Sequence, residues 1–369
     1  MTLDSGAIRL GALNLLQGCA GATAGESLLV LYEDPACGYY GHGLAEAIAG
    51  HARQLGLVVS LREVPFIESI DALTPRLEAE VRAADHTFFL ARLGDQLRFQ
   101  AMPAGTKPVV SYVLDREALA SPFGSAPYAA FVEFKGLLDH LFFTAAEIHV
   151  TCPLGTDMRG RMKRDIDVAA AATDAEVTIK RYPVSVFSPL DAAGFKGQVA
   201  IAHLLVGTGS RYYEPYGIGL TSTLFAHIDK GRLKNWTGDP SEVARAEAHY
   251  AAVSEKFGIA RDVVHSWHAG IHPGCSYAGA AEENYQRWSG SAFGNPRLLH
   301  FHTCGDYAPG EICWNVVDPT IEVDGAPIWN KGRIEIDNIP GANAILARHP
   351  EVRRLFDWPS PHIGIGVPA

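Results

Sequence analysis

The chain has no excess of positive charge, no membrane-length apolar run and no paired-cysteine motif. Its 31 Lys and Arg against 41 Asp and Glu leave a formal net charge of −10. That balance argues against nucleic acid and anionic membranes as partners, since both reward a basic surface. No apolar stretch approaches the ~18 to 20 residues needed to span a bilayer. Met1 to Leu16 lacks a basic segment followed by an apolar one, so a secretory signal is not expected. The six cysteines are scattered without a CxxC pair, which suits a reducing cytoplasm better than a disulfide framework. Gly38 to Gly43 follows the first strand signal, but its spacing is not GxGxxG, so no dinucleotide cofactor is expected. Internal repeats and low-complexity linkers are also absent. These exclusions point to a cytoplasmic protein acting on a small molecule, with a homodimer as the expected assembly.

A hydrophobic content of 47% and a charged content of 20% over 369 residues describe a well-packed chain too long for one ordinary core. The first part alternates strand and helix signals. Leu28–Tyr32, Leu57–Leu61, His86–Leu90 and Lys107–Tyr112 read as strands, with helices over Gly43–Leu55 and Leu77–Ala84 between them. Glu147–Thr151 reads as a further strand. After about residue 180 the segments become β-like and glycine-punctuated: Gln198–Val206, Gly217–Asp229, a Lys230-Gly231 turn and Arg232–Trp236. One clear helix, Ser241–Lys256, is opened by Asp239-Pro240 and stopped by Gly258. The expected fold class is α/β, with an open parallel sheet domain over residues 1–145 and an α+β catalytic domain over 146–369.

The chemistry-bearing residues concentrate between His265 and Cys313. His265, His268, His272, His300 and His302 are interleaved with Cys275, Glu282, Glu283, Cys304, Asp306, Glu311 and Cys313. Imidazole, thiolate and carboxylate hold transition metals, and imidazole also moves protons near neutral pH. Strand alternation places His300 and His302 on one side. His265 and His268, three apart, share a face on a helix and oppose each other on a strand. His272, beside Pro273, reads as a loop residue. Trp267, Trp288 and Trp314 lie near these positions and suggest a flat-walled pocket. Arg211, Tyr212, Tyr213 and Tyr216 form an aromatic, donor-rich loop suited either to a flat ligand or to a subunit contact.

Three segments, in order, resemble one family. Ala145–Met158, containing Gly155-Thr156-Asp157, is similar to the strand followed by Gly-Thr-Asp-Leu of the aminopeptidase T family of metallopeptidases. Ala269-Gly270-Ile271-His272-Pro273-Gly274 resembles its Gly-Ile-Gly-x-Asn-Pro loop, and Val316–Gly325 its Pro-Thr-Val-x-x-Asp-Gly segment. Asp157 in Gly-Thr-Asp reads as a structural residue that orders a turn between domains. The resemblance implies a fold shared with 2,5-dihydroxypyridine dioxygenase, so it leaves the reaction open.

The family's ligand positions are altered here. Tyr182–Phe187 has no carboxylate where the family has Gly-Glu, and His265-Ser266-Trp267-His268 stands in place of a second Glu. His300 or His302 matches the family's His, whereas Cys313-Trp314-Asn315 replaces its His-x-Asp. Two divalent ions ~3.5 to 4 Å apart need several carboxylates to offset their charge. A mononuclear site is therefore expected, with one divalent transition metal (iron, zinc or manganese) on His265, His300 and His302. His268, Glu311 and Cys313 are the catalytic candidates, with Asp306, Glu311 or Cys313 as a possible anionic ligand. The leading expectation is a metal-dependent hydrolase or deaminase acting on a small aromatic or N-heterocyclic compound. An iron ring-cleaving dioxygenase is the alternative, and a metal-free member of the fold is the third reading.

Overall fold

The computed structural model describes residues 4–68, 74–98, 100, 102, 105–162, 178–307 and 309–366. Two compact units are present: Met1–Val132 with Asp174–Val184, and Glu133–Thr173 with Ser185–Ala369. The expected boundary at 145/146 lies one helix beyond this division. The helix Tyr128–Thr144 carries the chain from one unit into the other, and the strand Lys180–Tyr182 belongs to the first unit.

In the first unit a five-stranded parallel sheet has the order Val58–Val64, Ser27–Glu33, His86–Leu90, Pro108–Ser111, Lys180–Tyr182. Every residue of His86–Leu90 and Pro108–Ser111 is buried, as expected of strands covered on both faces. The edge strand Val58–Val64 is mostly exposed. The helix Leu44–Gln54 ends at Leu55, and Gly56 then takes φ 84°, a left-handed conformation that costs glycine no Cβ clash. The helix Pro75–Ala83 starts with Pro at its first position, and Thr74 Oγ1 accepts from Leu77 N–H at 3.3 Å. Leu29, Leu31, Phe89 and Val110 pack with Leu77 and Val81 as a core.

The second unit contains two antiparallel sheets. The eight-stranded sheet runs Arg232–Thr237, Leu224–Asp229, Phe195–Ile201, Asp157–Gly160, Ile148–Thr151, Thr320–Val323, Ala326–Asn330, Arg333–Ile334. The six-stranded sheet runs Gly217–Gly219, Leu204–Gly207, Ile312–Val317, Leu298–Thr303, Val264–Ala269, Leu190–Asp191. The strand expected at Glu147–Thr151 thus extends the antiparallel sheet, and its alternating burial shows that only one face is covered. The single run expected over Gln198–Val206 is two strands in different sheets. They separate where His203 takes φ 68°. Asp157 lies on a strand, not in a turn, and its exposed carboxylate is 2.9 Å from His149 Nε2.

Aromatic side chains join the sheets. Trp267, Phe301 and Trp314 stand in a row across three strands of the six-stranded sheet, with ring centroids 6.2 and 5.4 Å apart. Phe195 of the larger sheet meets Trp267 edge-on at 5.2 Å, and Trp236 meets Trp314 at 5.5 Å. The helix Pro240–Phe257 is capped by the Asp239 carboxylate, which accepts from Ser241 N–H at 2.8 Å, and stops at Gly258 with φ 65°. Its Tyr250 hydroxyl accepts from Trp314 Nε1–H at 2.5 Å, tying the helix to the aromatic row. No helix among the described residues is long and apolar enough to cross a membrane.

The Val264–Ala269 strand ends at Gly270, where the chain passes against Asn295. A Cβ there would lie 2.2 Å from the Asn295 carbonyl oxygen, a backbone atom that cannot step aside alone. Gly270→Ala should destabilise the second unit by about 2 to 3 kcal/mol through overpacking. All six tryptophans lie in this unit, so urea denaturation followed by tryptophan fluorescence reports it directly.

Candidate metal centre

The site is built by register. His268 lies opposite His300, and Ser266 opposite His302, across one strand pair; Asn315 and Cys313 lie opposite the same two histidines on the other side. Directly opposed residues of antiparallel strands share a face. Ser266, His268, His300, His302, Cys313 and Asn315 therefore stand together, and the intervening Trp267, Phe301 and Trp314 turn to the opposite face. The ligand atoms of His268, His300 and His302 lie within 4.8 Å of one another, and each residue is buried. Among the described residues, no other group of His, Cys, Asp or Glu meets this geometry.

Hydrogen bonds fix how these rings present their nitrogens. His268 Nδ1 is 2.8 Å from the Phe187 carbonyl oxygen. A carbonyl only accepts, so Nδ1 carries the proton, and in the neutral ring Nε2 presents its lone pair. That Nε2 is 2.7 Å from His300 Nε2. Two lone pairs cannot face each other at this separation, so a proton on one of the two nitrogens, or a cation, must lie between them. His302 Nδ1 is 3.1 Å from Ser266 Oγ, which is also 2.9 Å from His265 Nδ1. Phe293 stacks on His300, with centroids 4.0 Å apart and planes at 11°. The donor set suits a divalent transition ion: imidazoles on rigid strands, with outer hydrogen bonds that set the tautomer of His268 and support His302.

The residues singled out in the sequence divide as follows. His300 and His302 share a strand face, and His268, expected to be catalytic, lies with them. His265, expected as a ligand, falls at a register shift between Val264 and Ser266 and stands outside the group of three. A β-bulge re-aims its residue, and no sequence periodicity announces one. Cys313 faces the same side as His302 but packs with Leu204, Val206, Trp288 and Leu298. Trp288 is the one tryptophan of the expected three on this face. His272 is fully buried, burial lowers it to about 3, and its Nδ1 accepts from Gly274 N–H at 3.2 Å in a loop. Phe187, Ser266 and Phe293 were not indicated by sequence. The first bonds His268 through its backbone carbonyl, which leaves no side-chain signature.

Glu311 lies just before the strand Ile312–Val317 and is fully buried. Arg211 Nε donates to its Oε1 at 2.6 Å, Ser210 Oγ donates to its Oε2 at 3.3 Å, and Tyr213 OH donates to its backbone carbonyl at 3.0 Å. The aromatic loop is thus anchored on this residue. Burial pushes the Glu311 carboxyl up to about 7, against the lowering by Arg211 and Ser210.

No protein-family model matches the chain, and no curated protein sequence matches it. Its fold is similar to the solved structure of 2,5-dihydroxypyridine dioxygenase from Pseudomonas putida KT2440, with TM-score 0.57 and 12% identity, covering 90% of this chain and 98% of that one. It is also similar to wild-type AmpT from Thermus thermophilus, with TM-score 0.50 and 11% identity, covering 89% and 99%. At these identities the likeness is one of fold. Both carry the one fold that the sequence motifs implied.

Because its folded value lies above the ordinary carboxyl value, Glu311 favours the fold when protonated. That contribution is complete below about 4.5 and is lost as the pH rises through about 7. Over this window Glu311→Gln should gain stability relative to the parent chain, with a slope approaching ~1.4 kcal/mol per pH unit. Urea midpoints at pH 5, 6, 7 and 8 measure it; parallel curves for the two proteins would contradict the burial argument.

Proposed function

We propose that this protein is a mononuclear metal-dependent enzyme, with one divalent ion on His268, His300 and His302, that hydrolyses or deaminates a small aromatic or N-heterocyclic compound. The observation that carries the reading is the convergence of three imidazole donors within 4.8 Å on one sheet face, without a carboxylate among them. Three protein donors with a further position open is the arrangement of catalytic zinc, whereas the facial triad of iron oxygenases includes a carboxylate. When bound, such an ion supplies Lewis acidity toward a substrate oxygen or a water.

The chain's own residues do the remaining work. Phe187 O and Ser266 Oγ orient the rings of His268 and His302. Phe293, Trp288 and Tyr216 supply an apolar, aromatic surround on the histidine side of the sheet, which suits a flat substrate better than an extended peptide. Glu311, with its carboxyl raised to about 7, is suited to exchange a proton at Oε2 near neutral pH. The fold likeness to a dioxygenase makes oxygen-dependent ring cleavage the second reading.

Alanine at His268, His300 or His302 should each lower bound zinc, iron or manganese from one per chain to near zero, with little change in far-ultraviolet circular dichroism. His265→Ala should retain the stoichiometry, because that ring stands outside the group of three and bonds Ser266 Oγ at 2.9 Å. Elemental analysis checks both. Turnover of heterocyclic amides and amines with oxygen excluded supports hydrolysis; turnover that stops without oxygen promotes the dioxygenase. Retention of metal by the His300→Ala, His302→Ala double variant would remove the site altogether.

A further inference from the structure

The helix Tyr128–Thr144 buries a charged group that the metal centre has not yet accounted for. Lys135 and Asp139 are one turn apart on it, and Ser188 follows Phe187 directly in sequence. Asp139 is fully buried, and Lys135 and Ser188 are nearly so. Asp139 Oδ2 accepts from Lys135 Nζ at 2.6 Å and from Ser188 Oγ at 2.9 Å. Asp139 Oδ1 accepts from the Ser188 backbone N–H at 2.7 Å. Lys135 Nζ also donates to Ser188 Oγ at 2.7 Å.

The Ser188 N–H and the Phe187 C=O are the two ends of one peptide group. One end donates to Asp139; the other accepts His268 Nδ1–H at 2.8 Å. We propose that Asp139 is a positioning residue for the metal centre, acting on His268 through the Phe187–Ser188 peptide. The inference rests on the reading of His268 as a ligand. Metal-bound histidines commonly donate their second N–H to a carboxylate, which fixes the tautomer and makes the ligating nitrogen more basic. Here a peptide is interposed. A carboxylate accepting from its N–H polarises the amide, so its carbonyl becomes a stronger acceptor for the imidazole proton.

Anchoring the helix alone does not explain this group. A buried ion pair carries a desolvation cost, and apolar residues of similar volume often replace one without loss of stability. Apolar residues cannot hold and polarise a peptide. Lys135 supplies the charge that keeps a carboxylate at this depth, against burial that pushes Asp139 up.

The test is zinc affinity, measured by chelator competition on the full chain, for the parent protein, Asp139→Asn and Ser188→Ala. Ser188→Ala removes the hydroxyl bonds but keeps the backbone N–H, so it should bind within about twofold of the parent. Asp139→Asn should bind with the same stoichiometry but about 10- to 100-fold more weakly. Its cobalt-substituted d–d spectrum should also shift, as a change in His268 donor strength requires. Within the parent protein, zinc should move the Ser188 amide proton resonance downfield, a measurement that needs no variant to fold. A parent protein that binds no zinc would overturn the three-histidine site and this inference with it. Zinc bound equally by parent and Asp139→Asn, or an unmoved Ser188 resonance, would overturn the relay alone.

Discussion

The grouping of His268, His300 and His302 depends on the pairing register of three antiparallel strands, Val264–Ala269, Leu298–Thr303 and Ile312–Val317. Each carries large aromatics and polar groups in alternation, so a slip of one residue would exchange Trp267, Phe301 and Trp314 for the histidines. Fully burying one such ring is worth roughly 1.5 to 3 kcal/mol. Three together make the wrong register costly by several kcal/mol. The imidazoles contribute little to choosing this register. They are placed by hydrophobic burial on the other face, which leaves their own side free to be polar.

Two buried carboxyls in the second unit illustrate how one residue type takes different roles. Burial raises both Glu311 and Asp139, and each faces a cation, Arg211 or Lys135. Arg211 keeps a side-chain exposure of 32%, so Glu311 sits beside a group in reach of water. Lys135 and Asp139 are sealed, with 10% and 0%. A carboxyl near solvent with a value of about 7 can exchange protons at neutral pH. One sealed against an ammonium and two Ser188 donors is a fixed charge, useful only for what it does to the groups bonded to it.

Much of the fold was legible because it rests on periodicity. Continuous apolar runs mark four strands of the parallel sheet, and alternation alone places His300 and His302 on one face. The errors occur where local pattern carries no information. Lys180–Tyr182 is too short to announce itself as the fifth parallel strand. The break at His203 needs a positive φ from a residue that seldom adopts one. A bulge, invisible in composition, brings His268 and not His265 beside His300 and His302. The segment Tyr182–Phe187 was notable in sequence for its missing carboxylate. In the folded chain it provides Phe187 O, an acceptor every residue carries.

Three imidazoles without a carboxylate would set a particular electrostatic problem for a bound ion. An ion held there by three neutral imidazoles would keep its full double charge, and the low-polarity surround on that sheet face would screen it weakly. The remaining positions then favour an anionic or strongly polar group from substrate or solvent. Asp139 bears on the centre through a peptide, so its negative charge reaches His268 as hydrogen-bond strength and leaves the coordination positions clear. A direct carboxylate ligand would lower the ion's acidity and fill one of those positions. Placing that charge one peptide away keeps an orienting effect on the imidazole while preserving the ion's pull on whatever completes its coordination.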